Sequence, residues 1–242
     1  MPNHRKLAAI AGALYLLTFV TSIPALGLKQ PFLQGEGTVL AAQAAALLEI
    51  LLAFACVGTA VALYPVGRKL APALALGFVA SRVLEASLIL LGVIALLSLT
   101  TVRTAPGGES AATVLVAVHD WAFLIGPGLL PAVNALLLGS LLYRHRLIPR
   151  VIPVVGLIGA PLLIASGLGT LLGMVDQVSV VAGLAAAPIA AWEFLAGCWL
   201  LGKGFNPSIG QHGEVSPAAE ARPPARPPRA ASQTREDTGA RS

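Results

Sequence analysis

Six apolar segments, each long enough to cross a bilayer as a helix, dominate the first 202 residues of the chain. They lie at about 7–28, 39–64, 72–101, 113–142, 151–174 and 179–202. Because the hydrocarbon core of a membrane holds no water to hydrogen-bond the backbone, such segments cross it as helices. The pattern predicts an all-α fold, a polytopic transmembrane bundle of six spanning helices formed by residues 1–203.

Composition indicates that lipid is the solvent for most of the chain. Of the 242 residues, 56% are hydrophobic and 11% are charged, and the mean hydropathy is +0.81, far more apolar than a water-soluble domain of this length. The net charge of +5 does not indicate nucleic acid, because the basic residues lie between apolar segments and share no face with aromatic residues. We therefore expect the lipid bilayer as a partner and no nucleic acid.

The basic residues alternate between the two sides of the predicted bundle. One side carries eight of them, namely Arg5, Lys6, Arg68, Lys69, Arg144, Arg146, Arg150 and Lys203, and the other side carries Lys29 and Arg103. Loops rich in Lys and Arg stay in the cytoplasm. The alternation predicts that both termini are cytoplasmic, and it agrees with six spans because a missed helix would scramble it.

The two ends of the chain carry further predictions. Residues 204–242 are rich in Pro, Ala and Arg and poor in large apolar side chains, which predicts a disordered cytoplasmic tail. The first apolar segment has an alternative interpretation as a cleaved signal peptide, because a basic start at residues 4–6 precedes it and Ile23-Pro24-Ala25 resembles a cleavage site. Cleavage would leave five spans and would not change the orientation of the others.

Charged side chains occur within the predicted spans, where each costs on the order of 3 kcal/mol unless it has a partner. Glu49 and Arg82 each lie about ten residues into their helices, which places both ~15 Å deep and predicts that they pair. Glu85 shares a helical face with Arg82. His119 and Asp120 lie in the outer half of the fourth span. Because neighbouring side chains on a helix point about 100° apart, these two are not expected to form a dyad.

Two interpretations of this intramembrane polar cluster remain open. In the first, Glu49, Arg82, Glu85 and Asp120 form a site for an ion, a proton or a small substrate. One arginine cannot neutralise three carboxylates, so at least one of them is protonated, hydrated or bound to a ligand. In the second, the pair of Arg82 and Glu49 only fixes the positions of the helices, as buried pairs often do. His119 taken alone is more often a packing residue than a ligand.

The fourth span is predicted to kink or break. It contains Gly126, Pro127, Gly128 and then Pro131, and proline removes backbone hydrogen bonds. Broken helices line substrate sites in many transporters, because free amides and carbonyls bind ligands there, although prolines also occur in ordinary spans. Asn134 is a candidate partner for the freed backbone groups.

The last two spans each carry one further feature. Gly169 and Gly173 in the fifth span have the small-xxx-small spacing that lets two helices approach closely, which predicts a packing role. Glu193 in the sixth span follows Trp192. We expect Glu193 to turn partly toward the inner interface and the tryptophan to anchor the helix in the aromatic belt.

The chain contains none of the common motifs of hydrolases, nucleotide-binding proteins or metalloproteases. A single histidine lies within a span, too few for the usual zinc site. We therefore expect a protein that is not an enzyme and that holds no metal and no cofactor.

Several short stretches carry a family resemblance. They are Arg5-Lys6 with Ala11–Leu16, Ser81–Ala86, His119–Gly126, Leu138–Arg144 and Leu147–Arg150. Together they resemble the bacterial integral membrane proteins grouped as domain-of-unknown-function family 4386, over about residues 5–202. The resemblance implies that Arg82, Glu85 and His119 are features of the family and that the chain is a multi-pass protein of the bacterial inner membrane. It implies no known activity.

Two functions follow as expectations. The first is a small transporter or carrier that takes an ion or a small molecule at the polar cluster. The second is a structural or regulatory membrane protein in which the intramembrane ion pair only fixes helix packing. An intramembrane enzyme is less favoured, because no nucleophile with a base and no metal set is evident. The sequence indicates neither a protein partner nor a state of self-association.

Overall fold

The computed structural model describes residues 2–206. The chain divides into two units, Met1–Ile209 and Gly210–Ser242, and the description concerns the first. The predicted disordered tail, 204–242, lies from residue 207 onward outside the described residues. Its first three residues end the folded part: the backbone N–H of Asn206 donates to the carbonyl of Leu147 at 2.8 Å, and Phe205 packs on the apolar core.

Seven helices make up the described chain, and no strand occurs within residues 2–206. The helices are α1 (Pro2–Leu33), α2 (Val39–Leu70), α3 (Pro72–Val102), α4 (Glu109–Ile125), α5 (Leu130–Arg144), α6 (Val151–Leu171) and α7 (Val180–Gly202). Helices α4 and α5 are two parts of one crossing, so six segments are long and apolar enough to span a membrane. The predicted six-span all-α fold is confirmed.

The spans form a closed ring. Each packs against the next in the sequence, and α7 returns to pack against α1. An even number of crossings places residue 2 and residue 206 on the same side of the membrane. Which side that is remains the prediction made from the basic residues.

Helix termini are held by side chains that the sequence places beside them. Thr38 and Ser179 each accept a backbone N–H three residues on, which caps the starts of α2 and α7. Two arginines bind helix C-termini. The Arg5 guanidinium donates to the carbonyls of residues 200–202 at the end of α7. Arg103 donates to the last two carbonyls of α1. A positive charge at a helix C-terminus also favours the helix dipole.

The fourth crossing is broken where its glycines and prolines lie. Helix α4 ends at Ile125 and α5 begins at Leu130. Pro127 has no N–H to donate, and the N–H of Gly128 reaches back to the carbonyl of Phe123 at 2.9 Å. Because Pro131 also lacks an N–H, the carbonyl of Pro127 has no hydrogen-bond donor among residues 2–206.

Glycines let two pairs of helices approach closely, α1 with α7 and α6 with α7, but Gly169 and Gly173, which the spacing predicted to pack two helices, do not act in this way. A Cβ at Gly12 would lie 2.5 Å from the backbone of α7, and one at Gly156 would lie 2.6 Å from the Trp192 ring. Gly173, by contrast, follows the end of α6 with φ +71°. Its N–H and that of the next residue bond back to α6, which is the Schellman arrangement that favours glycine. The predicted packing role of Gly169 and Gly173 is therefore wrong, because the helix ends between them.

Candidate functional site

The charged residues within the bundle form two separate clusters. We call the first the arginine cluster: Arg82, Glu85, Asn134 and Glu193. We call the second the lysine cluster: Lys29, Glu49, His119 and Asp120. Each cluster joins residues from at least three helices.

In the arginine cluster, Arg82 bridges two carboxylates. Its Nη1 donates to Oε2 of Glu85 at 3.0 Å, and its Nη2 donates to Oε1 of Glu193 at 3.0 Å. The same Oε2 of Glu85 accepts from Nδ2 of Asn134 at 2.7 Å. Arg82 and Asn134 are almost completely buried, and the Glu193 side chain is 13% exposed. The cluster therefore links α3, α5 and α7.

Two aromatic rings and a thiol surround the guanidinium. The carbon at its centre lies 5.1 Å from the Tyr15 ring centroid and 5.7 Å from that of Phe78, both within cation–π range. Its Nη1 is also 3.7 Å from the Sγ of Cys56. Tyr15 and Cys56 were not predicted as neighbours of Arg82. The sequence gives only a weak signal for them, since each side chain has a single polar atom and lies in an otherwise apolar segment.

The hydrogen bonding and charge of the arginine cluster are incomplete. Nε of Arg82 and Oδ1 of Asn134 are buried and have no hydrogen-bond partner among the described residues. Each carboxylate binds the guanidinium through one oxygen, and no donor within residues 2–206 is paired with Oε1 of Glu85 or Oε2 of Glu193. One guanidinium between two carboxylates leaves an excess of one negative charge when both acids are ionised.

The lysine cluster is a one-to-one ion pair covered by an aromatic stack. Nζ of Lys29 donates to Oε1 of Glu49, and both side chains are buried. Nζ also lies 4.3 Å from the ring centroid of Phe123. The His119 ring stacks on the same Phe123 ring, with the two centroids 6.2 Å apart. Lys29 was predicted to lie in a loop, because the first span was predicted to end at residue 28.

The predicted pair of Arg82 and Glu49 does not form. Helices α2 and α3 run in opposite directions. The ten residues from the start of each helix were therefore counted from opposite sides of the membrane. Cys56, which touches Arg82, lies seven residues beyond Glu49 on α2, or about 10 Å along the helix. Because α2 and α3 are 32 and 31 residues long, equal counts did not mean equal depth. The single midplane cluster of four charged residues is therefore wrong.

Five smaller expectations also change. Nδ1 of His119 lies 3.1 Å from Oδ1 of Asp120, because the side chains extend far enough beyond their Cβ atoms to meet. Asp120 is 52% exposed at its side chain and does not reach Arg82. Glu193 turns inward to Arg82 and not to the interface, and Trp192 is 1% exposed against α6 and not in an aromatic belt. Asn134 bonds Glu85 in place of the freed backbone.

A cavity of about 260 Å³ opens beside the arginine cluster, and every span contributes to its wall. Its polar lining includes Arg82, Glu85 and Glu193, whereas most of the remaining wall is apolar. Pro127 and Pro131 bring the broken fourth crossing to the same cavity. A mostly apolar cavity with a few convergent polar groups is the usual form of a small-molecule site.

A second cavity of about 210 Å³ adjoins the first. Both are lined by Pro127, Leu163 and Ala186. The second continues along α7 to Ser179 and Ala182, at the end of the helix opposite Glu193. Lys29 and Glu49 line neither cavity. In residues 2–206, no group of three or more His, Cys, Asp or Glu side chains is arranged to hold a metal ion.

The fold and these buried charges define a multi-pass α-helical membrane protein with a polar cluster facing an internal cavity. A family model described as a domain of unknown function (DUF4386) matches residues 10–204. That match covers most of the chain, and the chain belongs to this family, as its resemblance implied. No curated protein and no solved structure matches the chain significantly.

Proposed function

We propose that this protein is a small carrier that binds an organic cation at Glu85 and Glu193 and moves it across the membrane. The observation that carries the proposal is the cavity of about 260 Å³ whose polar end is the arginine cluster. Free charge at membrane depth is costly, on the order of 3 kcal/mol near the centre. A bound cation offsets the excess negative charge of the cluster.

The unpaired polar atoms of the site favour a cation that donates hydrogen bonds. Oε1 of Glu85, Oε2 of Glu193 and the carbonyl of Pro127 are all acceptors without a donor among the described residues. Hydrogen bonds between a cationic donor and a carboxylate are among the strongest in proteins. Unwound backbone in a broken span also supplies carbonyls to cationic ligands in known transporters.

We also propose the placement of the protein. The two ends of the described chain face the cytoplasm, since the side they share carries Arg68, Lys69, Arg144 and Arg150. The membrane is the bacterial inner membrane. The first cavity then connects a site nearer the cytoplasmic ends of α1 and α7 with the outer half of the bundle.

The test is uptake of radiolabelled guanidinium, a permanently charged donor, into liposomes that contain the purified protein. Wild-type protein is expected to give saturable uptake above that of empty liposomes. Glu193→Gln keeps a hydrogen-bonding side chain for Arg82 but removes one charge, and it is expected to lower uptake about tenfold or more, from the loss of a charge-assisted hydrogen bond. Glu85→Gln is a second variant with the same expected result.

Glu49→Gln is the matched control. It removes a buried carboxylate that lines neither cavity, and uptake is expected to stay near the wild-type rate. Unfolding in detergent is measured for each variant, so that loss of fold is separated from loss of uptake. Equal uptake in wild-type, Glu193→Gln and empty liposomes would overturn the carrier.

A second candidate is a structural or regulatory protein in which the arginine cluster only holds the bundle. It is favoured by one observation: Arg82 on α3 touches Tyr15 on α1, Cys56 on α2 and Glu193 on α7. On this alternative, the uptake assay shows no guanidinium transport by any variant. The effect of Glu193→Gln is then confined to a lower unfolding midpoint.

A further inference from the structure

The walls of the two adjoining cavities divide into a charged end and a longer, mostly apolar remainder. Ser166, Thr170, Gln177 and Ser179 are the polar side chains of the second cavity. The charges of the first cavity belong to Arg82, Glu85 and Glu193, and its other walls are formed mainly by apolar residues such as Leu52 and Ile89. On α7, the linings run from Glu193 to Ala182, a distance of about 16 Å along a helix. A cation no larger than guanidinium leaves most of this space unfilled.

The mouth of the first cavity lies between α1 and α7. The two helices touch near their cytoplasmic ends, where Gly12 meets the α7 backbone and the Phe19 ring packs edge-on against Phe194 with centroids 5.6 Å apart. Beyond that contact, Ile23 and Ala190 both line the cavity and are both exposed, Ile23 by 66%. The wall of the cavity is therefore continuous with the surface that faces lipid.

The outer half of α7 leaves this mouth open. None of its residues from 180 to 188 is buried, whereas Ile189 and Trp192 are buried farther along the helix. Apolar side chains exposed at membrane depth contact lipid tails. An apolar solute dissolved in the bilayer thus meets the opening directly and need not pass through water.

We infer that the cation is an amphiphile, with a donor head for Glu193 and Glu85 and an alkyl or aryl tail, and that it enters sideways from the bilayer between α1 and α7. The inference rests on the proposed carrier function and names the substrate class of the same site. The head reaches the carboxylates, and the tail lies along the apolar walls between α1, α6 and α7. Entry from lipid requires no water-filled path through the ring of helices.

The test is binding of methyl-, butyl- and octylguanidinium to the protein in lipid nanodiscs, by equilibrium dialysis with uptake by empty nanodiscs subtracted. Affinity is expected to rise with tail length by up to about fourfold per methylene, as for transfer of an apolar group out of water. Octanoate, which has a similar tail and the opposite charge, is expected not to compete. A flat series, or competition by octanoate, would overturn the inference.

The route is tested with a bulky side chain at the mouth. The rates of association and dissociation are measured in the same nanodiscs, because an equilibrium affinity does not depend on the route of entry. Ala190→Trp, at an exposed position of the cavity wall, is expected to slow octylguanidinium association and dissociation about tenfold each. Ala191→Trp is the matched control, because Ala191 is also exposed but lines neither cavity. Equal association rates in the two variants would overturn entry between α1 and α7.

These outcomes separate the inference from the proposed function. Methylguanidinium binding and guanidinium uptake that depend on Glu193, together with no effect of tail length, would leave the carrier standing and refute the amphiphile. Absence of guanidinium uptake by the wild-type protein would refute the carrier itself.

Discussion

The pairing of Glu49 with Lys29, and not with Arg82, makes the sharpest prediction about stability. The perturbations are Glu49→Gln, Lys29→Met and Arg82→Met, made singly and in the two pairs that include Glu49. Lys29→Met leaves a carboxylate that is 5% exposed without its only cationic partner among residues 2–206. We expect each single change in this pair to lower the free energy of unfolding by about 2 kcal/mol, below the ~3–5 kcal/mol of soluble proteins because the unfolded state in a membrane also finds partners.

The double variants carry the test. Once Lys29 is gone, removing the charge of Glu49 has little further cost, so the coupling energy of that pair is expected to be about 1–2 kcal/mol. Arg82 lies at the depth of Cys56, about 10 Å along α2 from Glu49. Its charge is also opposed by Glu85 and Glu193, which repel Glu49. The effects of Arg82→Met and Glu49→Gln are therefore expected to add within about 0.5 kcal/mol.

The assay is equilibrium unfolding in mixed detergent micelles, in which the mole fraction of dodecyl sulfate is raised and helix content is followed by circular dichroism. All six proteins are measured under the same conditions, and the couplings are taken from the two cycles. A coupling between Glu49 and Arg82 equal to or larger than that between Glu49 and Lys29 would refute the two-cluster arrangement.

The same assay checks two glycines. Gly12→Ala places a Cβ 2.5 Å from the backbone nitrogen of Leu201 and is expected to destabilise the protein by about 1–3 kcal/mol, because it forces α1 and α7 apart. Its control, Gly27→Ala, meets no atom within 4 Å and is expected to stabilise the protein slightly. The reverse order of stability would refute the close approach of α1 and α7 at Gly12. Gly173→Ala, at φ +71°, is expected to cost about 1–2 kcal/mol. Gly183→Ala, in the first turn of α7 where a Cβ meets no atom within 4 Å, is expected to gain up to about 0.5–1 kcal/mol, and equal effects would contradict the end of α6.

Hydropathy and turn residues predicted the fold well because each acts locally. A span is an apolar run of fixed minimum length, and a break follows from proline at Pro127 and Pro131 whatever surrounds it. The same reasoning failed at Gly173, because one spacing serves both helix packing and helix termination. The outcome there depended on the polar turn that follows, with Asp176 and Gln177, which ends the apolar segment.

The partners within the site were harder to predict, since they depend on which helices are neighbours and at what depth. Arg82 and Glu85 share a helix face, and that contact was expected from their spacing. Glu193 and Asn134 come from helices distant in the sequence. Counting residues from a predicted helix start gave the wrong partner for Glu49, because Lys29 belongs to a helix that runs five residues beyond the predicted span.

The two clusters differ in a way that bears on their roles. The charges of Lys29 and Glu49 neutralise each other, and the pair is covered by Phe123 and lines neither cavity. The pair therefore serves the packing of α1 on α2. Arg82 faces two carboxylates at the end of a cavity, and acceptors around it lack donors among the described residues. A membrane domain that needed only a buried ion pair to hold its helices together already has one in the lysine cluster. The second carboxylate beside Arg82 and the adjacent cavity are therefore features that a carrier would require and that an ion pair with only a structural role would not.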